Sequence, residues 1–378
     1  MIKWLFKYGL VVFLFNTVFL SITSTFVLGG QIFFVLMGLF GFVLLINPKQ
    51  INKIIFHKAF SFLLILNIIN LSYFLLFHSL SDLEAVKYML ARGMQFSIIS
   101  LSAYYNFEYY KNKFLEHLTY IVFGIILISL FAYPNIFSGR YSGIMWNPNA
   151  LASFSVIGFS ALFLHEKKKA NFDYFLLFIF LIISLLTGSR GVLIGISLAF
   201  VFKYGFSIRN IIYVLFAIAS YLVISTIQLD TSINRFAEQS LFNDRVLQYK
   251  YAYETLIQKP FFGFGLDKYA FINPEVVPDL LGGRKISAHN GYLAILVQYG
   301  FVFGFFMLGV IFSKSFSFFN KVTIKNPENK FYIYLIAYTL VSAVYESLIT
   351  GINEFQTILF WFALAFLSYS KFRKSNAI

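Results

Sequence analysis

MIKWLFKYGLVVFLFNTVFLSITSTFVL, residues 1–28, sets lysines at positions 3 and 7 ahead of a long apolar run. A secretory signal has parts in the same order, but its apolar core is only ~7–15 residues and ends at a small-residue cleavage site. This run is longer and no A-x-A motif follows it, so it reads as an uncleaved first membrane span over residues 8–28. The rest of the chain repeats the pattern. Apolar runs at 32–47, 59–78, 86–106, 118–137, 150–164, 174–187, 191–204, 208–228, 291–312, 331–350 and 356–370 are separated by charged residues or by Gly, Pro and Asn.

Composition agrees. Of 378 residues, 59% are hydrophobic, 21% aromatic and 12% charged. A soluble domain is about 45–50% apolar and roughly 25% charged, so too little polar surface is present to cover a water-soluble globule. Spans of roughly 20 residues account for most of the apolar content. A soluble enzyme, a disulfide scaffold and a disordered chain are excluded. The expectation is an all-α polytopic membrane protein of about 12 transmembrane helices, forming a single integral membrane domain over 1–378. With no cysteine, thiolate chemistry and Cys-bound metal are excluded as well.

The net charge of +14 invites a nucleic-acid reading, but its distribution argues against one. With the N-terminus inside, nineteen of the 30 basic residues fall on cytoplasmic segments, including Lys49, Lys53 and Lys58, Lys167 to Lys169, and Lys371, Arg373 and Lys374. Lys87, Arg92, Arg140 and Arg190 fall on short outer segments or near them, and the remaining seven lie in one long loop. That bias is the positive-inside signal. Both termini are expected in the cytoplasm, and the charge serves topology.

The long loop, residues 229–290, is the only extramembrane segment large enough to fold on its own. Asn243–Gln258 reads as a short amphipathic helix, with Asn243 as N-cap and Val246, Tyr249, Tyr253, Leu256 and Ile257 along one face. Pro260 ends it, and Phe261-Phe262-Gly263-Phe264-Gly265 follows as an aromatic turn.

Few polar groups are left on the outer side. Arg190, between Gly188 and Gly191, either snorkels to lipid phosphate or is held near the surface to bind an anion. Arg140, in Ser138-Gly139-Arg140-Tyr141-Ser142-Gly143, lies in a turn ahead of Asn147-Pro148-Asn149, which caps the next helix. Arg245, near the start of the loop helix, reads alone as a solvated surface arginine. His289 stands where the loop rejoins the bilayer, a suitable depth for a general base acting on a membrane-bound substrate. Glu346 falls inside the 331–350 run. An intramembrane carboxylate is costly and points to function, and Arg92 is one possible partner. No P-loop, dinucleotide fingerprint, H-E-x-x-H or acidic metal-binding pair is present, so neither metal nor cofactor is implied. Several arginines, one histidine and aromatics suit a lipid-embedded diphosphate carrying a sugar.

Arg140-Tyr-Ser-Gly with Asn147-Pro-Asn-Ala-Leu-Ala, Thr187-Gly-Ser-Arg-Gly, Lys259-Pro-Phe-Phe-Gly-Phe-Gly and Ala288-His-Asn-Gly-Tyr-Leu, arranged around one large loop, together resemble the O-antigen ligase/polymerase family. The resemblance implies a C-type glycosyltransferase fold in the cytoplasmic (inner) membrane, with its active site facing the periplasm or cell exterior. It implies a metal-independent, inverting glycosyltransferase moving a glycan from undecaprenyl diphosphate to an acceptor, either a lipid-linked chain or lipid A core. Carried to matching positions, Arg190 and Arg245 bind the diphosphate, Arg140 assists, and His289 activates the acceptor hydroxyl. The expected partners are the lipid-linked donor, the acceptor glycan and membrane lipid, with no nucleic acid. Polymerisation of O-antigen or capsular repeat units is the favoured activity, ligation to lipid A core the alternative. A lipid-linked oligosaccharide flippase or other transporter is the competing class, but carriers gather charge near the midplane, and here it gathers at the outer face.

Overall fold

The computed structural model describes residues 2–137, 139–205, 207–225, 243–278, 287–320 and 326–375. In chain order its helices are α1 (Ile2–Ser21), α2 (Phe26–Ile46), α3 (Pro48–Ile55), α4 (Ser61–Phe77) and α5 (Leu83–Tyr105). Next come α6 (Phe107–Asn112), α7 (Phe114–Ala132), α8 (Pro148–Leu164), α9 (Asn171–Leu186) and α10 (Arg190–Tyr204). The last five are α11 (Ile208–Ser225), α12 (Asn243–Gln258), α13 (Gly291–Phe316), α14 (Pro327–Ser342) and α15 (Phe355–Ser375). An antiparallel bridge joins Ile22 to Met145.

The protein is thus a polytopic helical membrane protein. Among the described residues, six helices are long and apolar enough to cross a bilayer: α1, α2, α4, α7, α13 and α15. The shorter apolar helices α8 and α9, together with α5, α10, α11 and α14, occupy the positions of the other expected spans. The first hairpin turns at residues 22–25, earlier than the expected break at 29–31. Gly29 lies inside α2, where a Cβ would stand 2.9 Å from the Leu20 backbone nitrogen. It lets two helices approach closely and does not end one.

The core centres on α15, which is buried on every side from Phe355 to Leu367, as expected of a helix apolar all round. The neighbouring α14 carries Tyr332, Tyr334 and Tyr338, whose rings pack in the interior. Their hydroxyls donate to the carbonyls of Tyr110 at 2.5 Å, Gly195 at 3.1 Å and Gly191 at 3.4 Å. A buried tyrosine needs such a partner where no water is available.

Helix α13 is broken. Its first residue, Gly291, donates N–H to the Ala343 carbonyl at 2.7 Å, which ties the start of this 26-residue helix to the end of α14. The break falls at Gly300, where φ is 66° and ψ −175°, a conformation that favours glycine. The aromatic turn fills the break. Phe301 and Val302 donate N–H to the carbonyls of Pro260 (2.6 Å) and Phe261 (3.1 Å), and Phe264 and Gly265 donate to Val297 (2.9 Å) and Gln298 (3.0 Å). Unwound backbone at membrane depth is tolerated when paired in this way.

The helix expected over Asn243–Gln258 forms within those bounds, but its packed face differs. Tyr251, Ala252, Thr255 and Leu256 are buried, whereas Val246, Tyr253 and Ile257 are exposed. Small Ala252 and Thr255 allow close approach to Ala288 and Ile272. Residues 229–242 and 279–286 of the expected loop lie outside the described residues.

Candidate active site

Between α14 and α15 the chain is irregular over residues 343–354, and α5 holds this segment in place. Arg92, only 3% exposed, donates to the carbonyls of Thr350 and Gly351. It also donates to Gln95 Oε1 at 2.6 Å, and Gln95 Nε2 donates to the Ile352 carbonyl at 3.0 Å. Arg92 therefore satisfies backbone carbonyls, and it is not the direct partner of Glu346 that the sequence suggested.

Glu346 lies past the end of α14, not within a helix, and several elements converge on it. Its Oε1 accepts from Arg245 Nη2 at 3.0 Å and from Asn149 Nδ2 at 3.2 Å. Its Oε2 lies 3.3 Å from His289 Nδ1. The three side chains are neither sealed nor fully open: Arg245, Glu346 and His289 are 24%, 28% and 34% exposed. Arg245 comes from the first turn of α12, whose Tyr249 hydroxyl donates to the Val344 carbonyl at 2.6 Å. Burial pushes the Tyr249 phenol above its ordinary range, with Arg245 and Glu346 as opposing smaller influences.

His289 is fixed by its backbone. Its φ of 40° is left-handed, a conformation in which histidine is somewhat enriched among non-glycine residues but which still carries strain. Neighbours hold it there. Ala288 donates N–H to the Ala270 carbonyl at 3.2 Å. Asn290 caps α13 by accepting from the Tyr292 and Leu293 amides, both at 3.0 Å, and donates to the Val344 carbonyl at 2.9 Å.

Arg140 joins through Asn149. Its Nη2 donates to Asn149 Oδ1 at 2.6 Å and its Nε to the Thr187 carbonyl at 2.9 Å. Asn147 caps α8 as expected, accepting from the Asn149 amide at 2.8 Å. Arg190 opens α10 at the hairpin tip. The tip reaches the same region: a Cβ on Gly191 would stand 2.9 Å from the Tyr345 hydroxyl, one residue from Glu346. Among the described residues, no three His, Cys, Asp or Glu side chains gather as metal ligands.

Residues 175–309 match a family model described as O-Antigen ligase. The chain carries this likeness across α9 to α13. The resemblance to the O-antigen ligase/polymerase family is thereby supported, and with it a glycosyltransferase-like role in envelope polysaccharide assembly by an integral membrane enzyme. No curated protein matches the chain. The matched segment contains Arg190, Arg245 and His289, while Arg140, Asn149 and Glu346 fold back onto it from outside.

The structure thus gathers Arg140, Arg245 and His289 through two residues given lesser weight in the sequence. Glu346 was identifiable from the cost of its charge. In the sequence Asn149 reads only as part of a helix cap, and the polar pair flanking Pro148 is its one signal.

Proposed function

We propose that this protein moves a glycan from undecaprenyl diphosphate to an acceptor sugar on the outer face of the cytoplasmic membrane, polymerising O-antigen or capsular repeat units. The convergence of Arg245 and His289 on Glu346 carries this reading. With its Nδ1–H donated to Glu346, His289 keeps the Nε2 lone pair for the acceptor hydroxyl. As that proton moves to Nε2, the hydroxyl oxygen bonds to the anomeric carbon. The bond to the diphosphate breaks, and its electron pair leaves with the phosphate oxygen.

The arginines receive that charge. Arg245 spends one guanidinium donor on Glu346 and retains others for phosphate oxygens. Arg190 begins a helix, where the macrodipole disfavours a cation and favours an anion, so a bound diphosphate relieves the mismatch. Arg140 sits one hydrogen-bonded link behind. No metal takes part in this scheme, and attack opposite the leaving group inverts the anomeric centre. The description of the matched family favours a second reading, transfer to lipid A core. Purified protein given lipid-linked repeat units should produce a polymer ladder under the first reading and glycosylated lipid A core under the second. Neither product with either acceptor would reject both.

A further inference from the structure

The segment that presents Glu346 also carries a second carboxyl, which the transfer chemistry leaves unused. Glu354 Oε2 accepts from the Thr357 hydroxyl at 2.9 Å, and among the described residues none donates to Oε1. The carboxyl rests against Gly351, where any Cβ would collide with it, so the backbone is shaped around this side chain. Next to Gly351, the Thr350 carbonyl accepts from the Tyr88 hydroxyl at 3.5 Å, and Tyr269 stacks on Tyr88 with ring centroids 5.9 Å apart and planes 30° apart. Tyr88 is buried and braced by Arg92 Nη2 at 3.2 Å, whereas Tyr269 remains 44% exposed. Tyr269 thus offers one ring face to the protein and leaves surface open.

These groups share one environment. Burial raises the Tyr269 phenol, and the Glu354 carboxylate adds to the push. Burial likewise lifts Glu354 to about 7, reinforced by Glu346 and opposed by Thr357 and Arg92. Tyr269 is tied to the site by sequence as well, since the next residue, Ala270, accepts the Ala288 amide beside His289. An exposed aromatic face beside a carboxylate oxygen in need of donors suits a sugar ring, which has an apolar C–H face and hydroxyls along its edge.

We propose that Tyr269 and Glu354 form the subsite that seats the acceptor sugar, its ring on the tyrosine and its hydroxyls donating to the carboxylate. This rests on the glycosyltransferase reading above, and the test separates the two. Delipidated repeat-unit oligosaccharide from the source envelope is titrated onto intact purified protein without donor, and transfer is measured on the same preparations. Tyr269→Ala should weaken oligosaccharide binding at least ~10-fold and raise the acceptor KM in parallel, with the donor KM unchanged. Tyr269→Phe keeps the ring and should stay near wild type, which controls for folding. Wild-type binding should strengthen as pH rises through about 7, because the ionised carboxylate is the better acceptor, and Glu354→Gln should bind weakly and without that pH dependence. If wild type transfers glycan but Tyr269→Ala binds oligosaccharide normally, the subsite is refuted and the enzyme reading stands. If wild type neither binds nor transfers, both fall.

Discussion

Gly291 and Leu348 meet backbone to backbone, so close that a Cβ on Gly291 would overlap the Leu348 carbonyl oxygen. This contact sets the spacing between His289, two residues before Gly291, and Glu346, two residues before Leu348. Gly291→Ala must push the irregular segment away, and overpacking of this kind costs about 1–3 kcal/mol. The catalytic cost should exceed the stability cost, because a shift of ~1 Å in a reacting constellation can lose ~10²-fold in rate. Thermal unfolding and single-turnover transfer on the same variant check both. Full transfer by Gly291→Ala would show that the spacing has no role.

How much of this was readable in the sequence depends on the kind of signal. The loop helix over Asn243–Gln258 was legible because Pro260 and the polar residues near Asn243 bound it locally. Its packed face was not, since apolar residues in a membrane protein turn towards lipid as well as protein, and Val246, Tyr253 and Ile257 do not pack inward. The turn after Ser21 is not legible because Gly29 and Gly30 look like punctuation, whereas both lie inside α2 and Gly29 serves helix packing. Arg190, Arg245 and His289 stand out in the sequence as rare polar groups of the segments read as extracytoplasmic. That Glu346 pairs with Arg245, across 101 residues, and not with Arg92, was beyond any periodicity. Only the tertiary fold makes that choice.

Glu346 should act by positioning. Replacing it with glutamine keeps the shape and an oxygen for Arg245, but an amide N–H facing His289 Nδ1 forces the proton onto Nε2 and removes the base. A tautomer error of this type can cost ~10⁴-fold in kcat, so Glu346→Gln should lose at least ~10²-fold in kcat with the donor KM little changed. A merely structural glutamate would change stability and leave kcat per folded molecule intact.

Arg92 should matter to folding ahead of chemistry. Removing its guanidinium in Arg92→Leu strands the Gly351 carbonyl and leaves that of Thr350 with only the long bond from the Tyr88 hydroxyl in a buried setting, at about 1–3 kcal/mol per unsatisfied group. Detergent-solubilised Arg92→Leu should melt well below wild type, and Arg92→Lys should recover only part of the loss, because an ammonium lacks the planar fork. Unchanged melting in both variants would contradict the role assigned here.

Topology can be tested without background, because the native chain has no cysteine. A cysteine at Pro278 should react with a membrane-impermeant reagent added to intact cells. One at Lys168 should react only after the membrane is opened. The reverse pattern would put the Glu346 cluster on the cytoplasmic side and remove the lipid-linked donor from its reach.

The arginines and the histidine should fail in different ways. Arg245→Ala and Arg190→Ala each remove charge aimed at a diphosphate, so each should weaken donor binding and slow transfer, with Arg→Lys restoring only part of either. The Arg245 effect includes a complication, since losing that arginine also leaves Glu346 with Asn149 and His289 as its hydrogen-bond partners. His289→Ala removes the base and leaves both arginines in place, so donor should still bind while single-turnover transfer falls by ~10²–10⁴-fold, the range for general acid–base catalysis. His289→Gln keeps hydrogen bonding but cannot take a proton at neutral pH, and should be equally slow. If His289→Ala loses donor binding in step with transfer, the histidine is a binding or folding element, and the proton must go elsewhere.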